Sequence, residues 1–451
     1  MDKEYLLYKL SDTVKKNSNI DSALYKQFGV KRGLRNEDHS GVLVGLTRVG
    51  DVVGYKKNDN GTLEAIPGKL VYRGIDIEDL AHGVEQEGRM GFEETAFLLL
   101  SGYLPDQEEL ETFSTILNEQ MILRHSQKMN ILQTYGDDIM NILARSVLQL
   151  YTYDPTPDDT SRTNLIKQSV DLISKFPAII AYAYHTMNHY KNNGSLHIRH
   201  PKPQFSLAEN FIYMMKGSTG YTELDVKVLD LCLVLHADHG GGNNSTFTTR
   251  VTSSSGTDTY SSIAAAIGSL KGPLHGGANI KVMDMFIHLR QALPNWEDRE
   301  QVKAYLMRIL RKEVYDKKGL IYGIGHAVYT ISDPRAVLLK EMARKLAKEK
   351  RMEREFAFLE LVEELGVESF MEYKGTSVGK SVCANVDFYS GFVYEMIGLP
   401  KDIYTPLFAM SRIAGWAAHR IEELNLESRR IIRPAYKNVC ESKKYTPLNK
   451  R

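Results

Sequence analysis

From Ile75 to Leu424 the apolar residues recur at the three-to-four-residue spacing of a helix face, segment after segment. A chain patterned in this way is confined to a mostly α fold. Phe92-Glu93-Glu94-Thr95-Ala96-Phe97-Leu98-Leu99-Leu100 stops at Ser101-Gly102 with Pro105 behind it, a helix with its stop signal in place. The same spacing runs through 109–124, 137–152, 164–190, 207–216 and 222–236. It continues through 258–270, 277–292, 299–315, 334–349, 353–365, 388–397 and 403–424. Strand candidates gather before residue 75: Val42–Leu46, Val52–Tyr55 and Leu70–Gly74, with Gly50-Asp51 as punctuation. They predict a small antiparallel patch near the N-terminus. Residues 1–35 read as a charged, helical entry segment.

A chain of 451 residues suggests two or three domains and can bury a large core without staples. Its formal charge is +1, from 57 basic and 56 acidic residues, which leaves no footprint for nucleic acid or an anionic membrane. The Lys, Arg and Glu residues of 335–355 fall at helical spacing and read as a solvated helix face. The 3 cysteines, Cys232, Cys383 and Cys440, are too far apart for a disulfide framework or a CxxC metal site. Free thiols fit a reducing compartment. Acidic residues early in the chain, no apolar signal segment and no bilayer-length apolar run make a cytoplasmic protein the expectation.

Three segments interrupt the helical pattern with glycine, histidine and charge together. They are His236-Ala237-Asp238-His239-Gly240-Gly241-Gly242-Asn243, Lys271-Gly272-Pro273-Leu274-His275-Gly276-Gly277-Ala278-Asn279, and Tyr322-Gly323-Ile324-Gly325-His326-Ala327-Val328-Tyr329 leading to Asp333-Pro334-Arg335. Glycine lets a backbone approach a ligand closely. Histidine is the side chain most easily tuned between proton donor and acceptor near neutral pH. One such turn is most often structural; three in one helical chain point to chemistry. His236 and His239 form an HxxH pair beside Asp238, but a zinc site wants three or four convergent ligands, and no HExxH or cysteine pair accompanies them. Gly375–Ser381 resembles a phosphate-binding loop with one residue too few between its glycines, and reads as a loop.

Taken in order, DHxGGN, GPLHGGAN, GxGHAVY…DPR, NVDFYSG (from Asn385), SRxAGW (from Ser411) and IRP (Ile432–Pro434) resemble the citrate synthase family. Tyr72-Arg73-Gly74 and Phe92–Pro105 are similar to that family's N-terminal segments, so the resemblance spans about residues 40–437.

The resemblance implies a two-domain helical fold. Residues 1–276 and 391–451 would form the large domain and 277–390 the small one, with the active site in the cleft and Gly272, Gly276 and Gly277 as hinge positions. It implies condensation of acetyl-CoA with oxaloacetate to citrate, the entry step of the tricarboxylic acid cycle. Asp387 would be the general base, His275 would hydrogen-bond the thioester oxygen, and His326 would polarise the ketone. His239, Arg335, Arg412 and Arg433 would hold the two carboxylates, since guanidinium pairs bidentately with carboxylate. Arg433 would come from the partner subunit of a homodimer. Gly323, Ile324 and Gly325 would meet CoA through their backbone. No metal or redox cofactor is implied; the CoA thioester is a substrate. Propionyl-CoA is the alternative acyl donor, giving 2-methylcitrate, and a silent regulatory relative is the alternative of another class. The chain departs from common family patterns at Thr330-Ile331, Gly240 and Ala384, and the first of these leaves the CoA phosphate contacts open.

Overall fold

The computed structural model describes residues 2–36, 40–59, 63–375 and 382–450. Six of the seven residues of the phosphate-loop look-alike, 376–381, therefore lie outside the described residues. The chain divides into two compact units, Met1–Leu46 and Thr47–Arg451.

In the first unit, helices α1 (Lys3–Asn17) and α2 (Ser22–Gln27) bury no residue. The helical entry segment is thus present, but the strand expected at Val42–Leu46 is not. Leu43 is 84% exposed, and the only bridge of this unit among the described residues pairs Arg35 with Gly41. A β-prone run with no strand to pair with stays irregular.

The second unit opens on a three-stranded antiparallel sheet: β1 (Gly50–Lys57), β2 (Leu63–Tyr72) and β3 (Ile75–Asp76), in the order β1-β2-β3. Gly50 pairs with Tyr72 and Tyr72 with Ile75, with an irregularity in β1 between Val53 and Tyr55. Gly50 and Asp51 lie inside a strand, not at a turn.

Helices follow almost continuously. First come α3 (Ile77–Glu87), α4 (Phe92–Ser101), α5 (Gln107–Gln120), α6 (His125–Gln133) and α7 (Ile139–Leu150). Then come α8 (Arg162–Asn192), α9 (Leu207–Lys216), α10 (Glu223–His236), α11 (Asn244–Ser254) and α12 (Thr259–Lys271). The last are α13 (Ala278–Ala292), α14 (Arg299–Leu310), α15 (Pro334–Lys350), α16 (Glu353–Lys374), α17 (Asp387–Ile397) and α18 (Tyr404–Leu424). The mostly α fold holds, with a small antiparallel sheet near the N-terminus.

Caps explain most boundaries. Ser161, Ser206, Thr222 and Asp258 each accept a backbone N–H of the following turn, opening α8, α9, α10 and α12. Asp333 does the same for α15, with Pro334 at the first helical position, where its missing N–H costs nothing. Helix α18 is the axis of the core and packs on α4, α8, α10, α11 and α12. Ile413, Ala414 and Trp416 are fully buried on it, and truncating a core Trp to Ala typically costs about 3–5 kcal/mol.

Candidate active site

The first two glycine–histidine turns pack on Phe408 of α18, the third lies against the first, and the starts of α15 and α17 are joined through Asp333. Each is held there by contacts that the sequence makes available locally.

His239 follows α10 on the turn 237–240. Its ring lies 5.1 Å from that of His326 and 5.7 Å from that of Tyr329, centroid to centroid. Its Nε2 is buried without a hydrogen-bond partner among the described residues. Burial, and then the charges of Arg335, His326 and Arg412, hold it well below the usual histidine range, so the ring is neutral at pH 7.

His326 stacks on Tyr329 at 4.5 Å. Its Nδ1 accepts the backbone N–H groups of Val328 and Tyr329 at 3.1 and 3.0 Å. A backbone N–H can only donate, so the neutral ring carries its proton on Nε2 and presents a donor.

His275 sits on the turn before α13. Its Nε2 accepts the Ser245 backbone N–H at 3.4 Å and lies 3.0 Å from the Ser245 hydroxyl, which also receives the Trp416 indole N–H at 3.1 Å. The neutral ring therefore carries its proton on Nδ1. Burial, with Arg412 second, pushes its pKa down to about 4. The helix terminus behind it is not needed to explain its neutrality. Gly276 is demanded by packing: a Cβ there would lie 2.4 Å from the Leu270 carbonyl oxygen.

Gly323 and Gly325 take φ values of +82° and +105°, the left-handed region that favours glycine. Their loop is laced to the segment that delivers Asp387. Gly325 N–H donates to Cys383 O at 2.8 Å, Asn385 N–H to Gly323 O at 2.9 Å, and Asn385 Nδ2 to Gly325 O at 3.0 Å. The expected CoA-binding loop and the expected base are thus parts of one unit. Asp387 is the first residue of α17, whose N-cap, Val386, has no side chain that could cap it. Its burial is the largest influence on its carboxyl, offset by the charges of Arg335 and Arg412, and its pKa is pushed up to about 6.

Arg335 is gripped by Asp333, Nε to Oδ1 at 3.0 Å and Nη2 to Oδ2 at 2.7 Å. The same carboxylate accepts the Val386 N–H at 3.2 Å, next to Asp387. Arg412 is fully buried. Its Nε donates to the His236 carbonyl at 2.6 Å, and its face covers the Phe408 ring at 4.6 Å. Both of its terminal nitrogens are buried without a hydrogen-bond partner among the described residues. Burial pulls its pKa down to about 10, which leaves it charged at neutral pH. A buried guanidinium with four idle N–H donors beside an idle histidine nitrogen is a receptor for an anion with oxygen acceptors.

The structure thus gathers His239, His275, His326, Arg335, Asp387 and Arg412, with the Gly323–Gly325 loop beside them. Arg433 is not among them: it lies exposed on the irregular stretch after α18. Sequence reasoning gave no role to Asp333, Ser245 or Trp416, although Asp333 stands inside the quoted Asp333-Pro334-Arg335. Among the described residues no group of three or more His, Cys, Asp or Glu could hold a metal ion, and no helix is long and apolar enough to cross a membrane.

A family profile described as citrate synthase, C-terminal domain, matches residues 38–435. The chain belongs to the citrate synthase family. It is 35% identical over 397 residues to a citrate synthase of Acidithiobacillus ferridurans, covering 86% of this chain and 94% of that one. It is 32% identical over 390 residues to 2-methylcitrate synthase 1 of Corynebacterium glutamicum, covering 85% and 92%. Among solved structures it is similar to the citrate synthase of Thermoplasma acidophilum in ternary complex with carboxymethyl coenzyme A and oxaloacetate. That likeness has a TM-score of 0.76 at 27% identity and covers 94% of this chain and 99% of the other. The citrate synthase of Pyrobaculum aerophilum gives a TM-score of 0.72 at 30% identity, covering 92% and 95%.

Proposed function

We propose that this chain condenses acetyl-CoA with oxaloacetate and water to give citrate and free CoA. The observation that carries the reading is one arrangement. A carboxylate of raised basicity, Asp387, and the neutral rings of His275 and His239, with His326 against the latter, all lie within reach of the charge of Arg412, a buried guanidinium whose terminal nitrogens have no hydrogen-bond partner among the described residues.

The thioester α-proton is a very weak acid, so its removal needs a base and a partner for the charge that develops on oxygen. Asp387 takes the proton. His275 donates its Nδ1–H to the thioester oxygen. The nucleophilic methylene carbon attacks the oxaloacetate ketone, and His326 donates its Nε2–H to the oxygen that becomes the hydroxyl of citrate. Hydrolysis of the thioester then releases the thiol. Arg412, Arg335 and His239 bind the oxaloacetate carboxylates, with Arg433 contributed by the partner subunit of a homodimer. Gly323, Ile324 and Gly325 meet CoA through their backbone. No step needs a metal or redox cofactor. Residues 277–390 act as a small domain that closes on 1–276 and 391–451, excluding water once oxaloacetate is bound. The free thiols of Cys232, Cys383 and Cys440 suit a cytoplasmic enzyme feeding the tricarboxylic acid cycle.

The likeness to a 2-methylcitrate synthase favours one second reading, use of propionyl-CoA. One methylene is worth about 1–3 kcal/mol in an apolar pocket, so dual use is credible. Thiol release measured with oxaloacetate and either acyl-CoA separates the readings. Release with acetyl-CoA supports citrate synthesis, release with propionyl-CoA alone supports methylcitrate synthesis, and none with either leaves a silent relative.

A further inference from the structure

A buried polar chain ends on the turn that carries His239, and no step of the proposed reaction uses it. It starts at Arg250 on α11, whose Nη1 donates to Glu423 at 2.9 Å and whose Nη2 donates to Thr47 Oγ1 at 3.0 Å and contacts Glu422. Arg250 Nε and Nη2 also reach Nδ1 of His419, at 3.2 and 2.7 Å. A guanidinium has donors only, so Nδ1 accepts, and the one proton of neutral His419 sits on Nε2. That nitrogen lies 3.1 Å from Asp238 Oδ1. The other oxygen, Oδ2, accepts the Gly240 N–H at 2.9 Å.

Asp238 and His419 are both 0% exposed. Two glycines wall the carboxylate in: a Cβ on Gly50 would lie 2.4 Å from Oδ2, and one on Gly415 2.7 Å from Oδ1. The main chain of the turn is held as well. Asp238 N–H donates to Tyr72 Oη at 3.2 Å, and Gly415 N–H to Ala237 O at 3.1 Å. Gly240 is locked at φ +73°. One carboxylate thereby fixes the residues on both sides of His239.

Burying a carboxylate against a neutral imidazole is costly, and an apolar pair would fill the same core space more cheaply. What the carboxylate provides is local order and a negative charge felt by Arg412. We propose that Arg250, His419 and Asp238 form a positioning relay that fixes His239, so that the oxaloacetate subsite is preformed. These are positioning residues, since none of them touches the reacting atoms. The inference rests on the oxaloacetate reading of the site.

The test uses the intact protein and three variants: Asp238→Asn, His419→Asn and His419→Gln. A glutamine amide nitrogen can occupy the place of Nε2 and keep the donor to Asp238, whereas an asparagine is too short and keeps only the acceptor for Arg250. Oxaloacetate affinity is read by calorimetry and acyl-CoA KM by thiol release, on variants whose melting curves show them folded. A misplacement of about 1 Å can cost on the order of 100-fold. Asp238→Asn and His419→Asn should therefore weaken oxaloacetate by at least about tenfold with acyl-CoA KM nearly unchanged, and His419→Gln should stay near wild type. Amide hydrogen exchange over 236–243 should quicken in the same two variants and not in the third. Equal behaviour of the two His419 variants, or wild-type affinity in Asp238→Asn, would overturn the relay. If wild type itself ignores oxaloacetate, the proposed function fails, and the exchange pattern alone then decides whether the relay exists.

Discussion

Replacing Asp387 with asparagine should make the protein more stable and nearly inactive at once. The carboxyl is half-buried at the start of α17, and the net effect of its surroundings disfavours the charged form, with burial outweighing Arg335 and Arg412. An ordinary carboxyl near 4 that titrates at about 6 when folded carries up to about 3 kcal/mol against folding while ionised. Its partial exposure discounts this to about 1–2 kcal/mol. The sign follows from the raised value. Between about pH 4 and pH 6 the folded state binds the proton and the unfolded chain does not, so wild-type stability from this group grows as pH falls through 6. It is lowest above about pH 7. Asparagine has the same shape and no charge to bury, so the variant should melt about 1–2 °C above wild type at pH 8. The gap should close by about pH 4. Condensation should drop by at least about 10²–10⁴-fold, the usual share of a general base. For the same reason wild-type kcat/KM should fall about tenfold per pH unit below 6, since only the ionised base works. Scanning calorimetry at pH 8 and pH 4.5 with thiol-release assays reads all of this. A variant less stable than wild type at pH 8, a gap indifferent to pH, or near-normal turnover would refute the reasoning.

Two more predictions concern partners and cofactors. Exhaustive treatment with EDTA should leave turnover unchanged, because Asp238 and His236 Nδ1 are already spent on His419, Gly240 and Cys232; activity lost and then restored by zinc would contradict this. Mixing inactive Arg433→Ala with inactive Asp387→Ala protein should return roughly a quarter of wild-type activity, since half the dimers in an equal mixture are hybrids with one whole site. No return after verified subunit exchange would mean that Arg433 does not act across the interface.

Much of the fold was legible because helical periodicity is a property of the chain alone. The apolar spacing at 207–216, 222–236 and 277–292 matches α9, α10 and α13 to within a residue. The misses have physical causes. α11 reads NSTFTTRVTSS, residues that compete with a helix through β-branching and side-chain hydrogen bonds, so propensity argues against it. Packing overrides propensity: Ser245, Thr246, Thr249 and Ser253 are buried, and Thr248, Thr249 and Thr252 turn their hydroxyls back onto the carbonyls four residues earlier. The apolar spacing stops at 365, whereas α16 runs to Lys374, because Gly366 lies on the helix's buried face against Ile321 and Ile324, where packing offsets the weakening a glycine brings to a free helix. β1 begins at Gly50, which sequence reasoning treated as a break. A side chain there would collide with Asp238, so this glycine answers to tertiary contact and not to a turn.

The same distinction runs through the site. Residues that face substrate lie in ordered motifs, because chemistry fixes both their identity and their neighbours in sequence. His275 beside Gly276 and His326 after Gly325 can be found by reading along the chain. The groups that set their protonation states cannot. The proton of His275 is placed by Ser245, thirty positions earlier, and Ser245 is in turn held by Trp416, whose distance in sequence is larger still. The carboxylate that steadies His239 is its immediate neighbour, yet its partner His419 lies far along the chain on α18, where spacing alone marks only a buried face. Asp238 is visible in the sequence as a letter in DHxGGN and as the carboxylate beside the HxxH pair of His236 and His239. Only the enclosure by Gly50 and Gly415 and the direction of the Arg250 donors make it a fixed, charged strut. A motif therefore names the groups that react, while burial and hydrogen-bond direction, which exist only after folding, decide which of them gives a proton and which takes one.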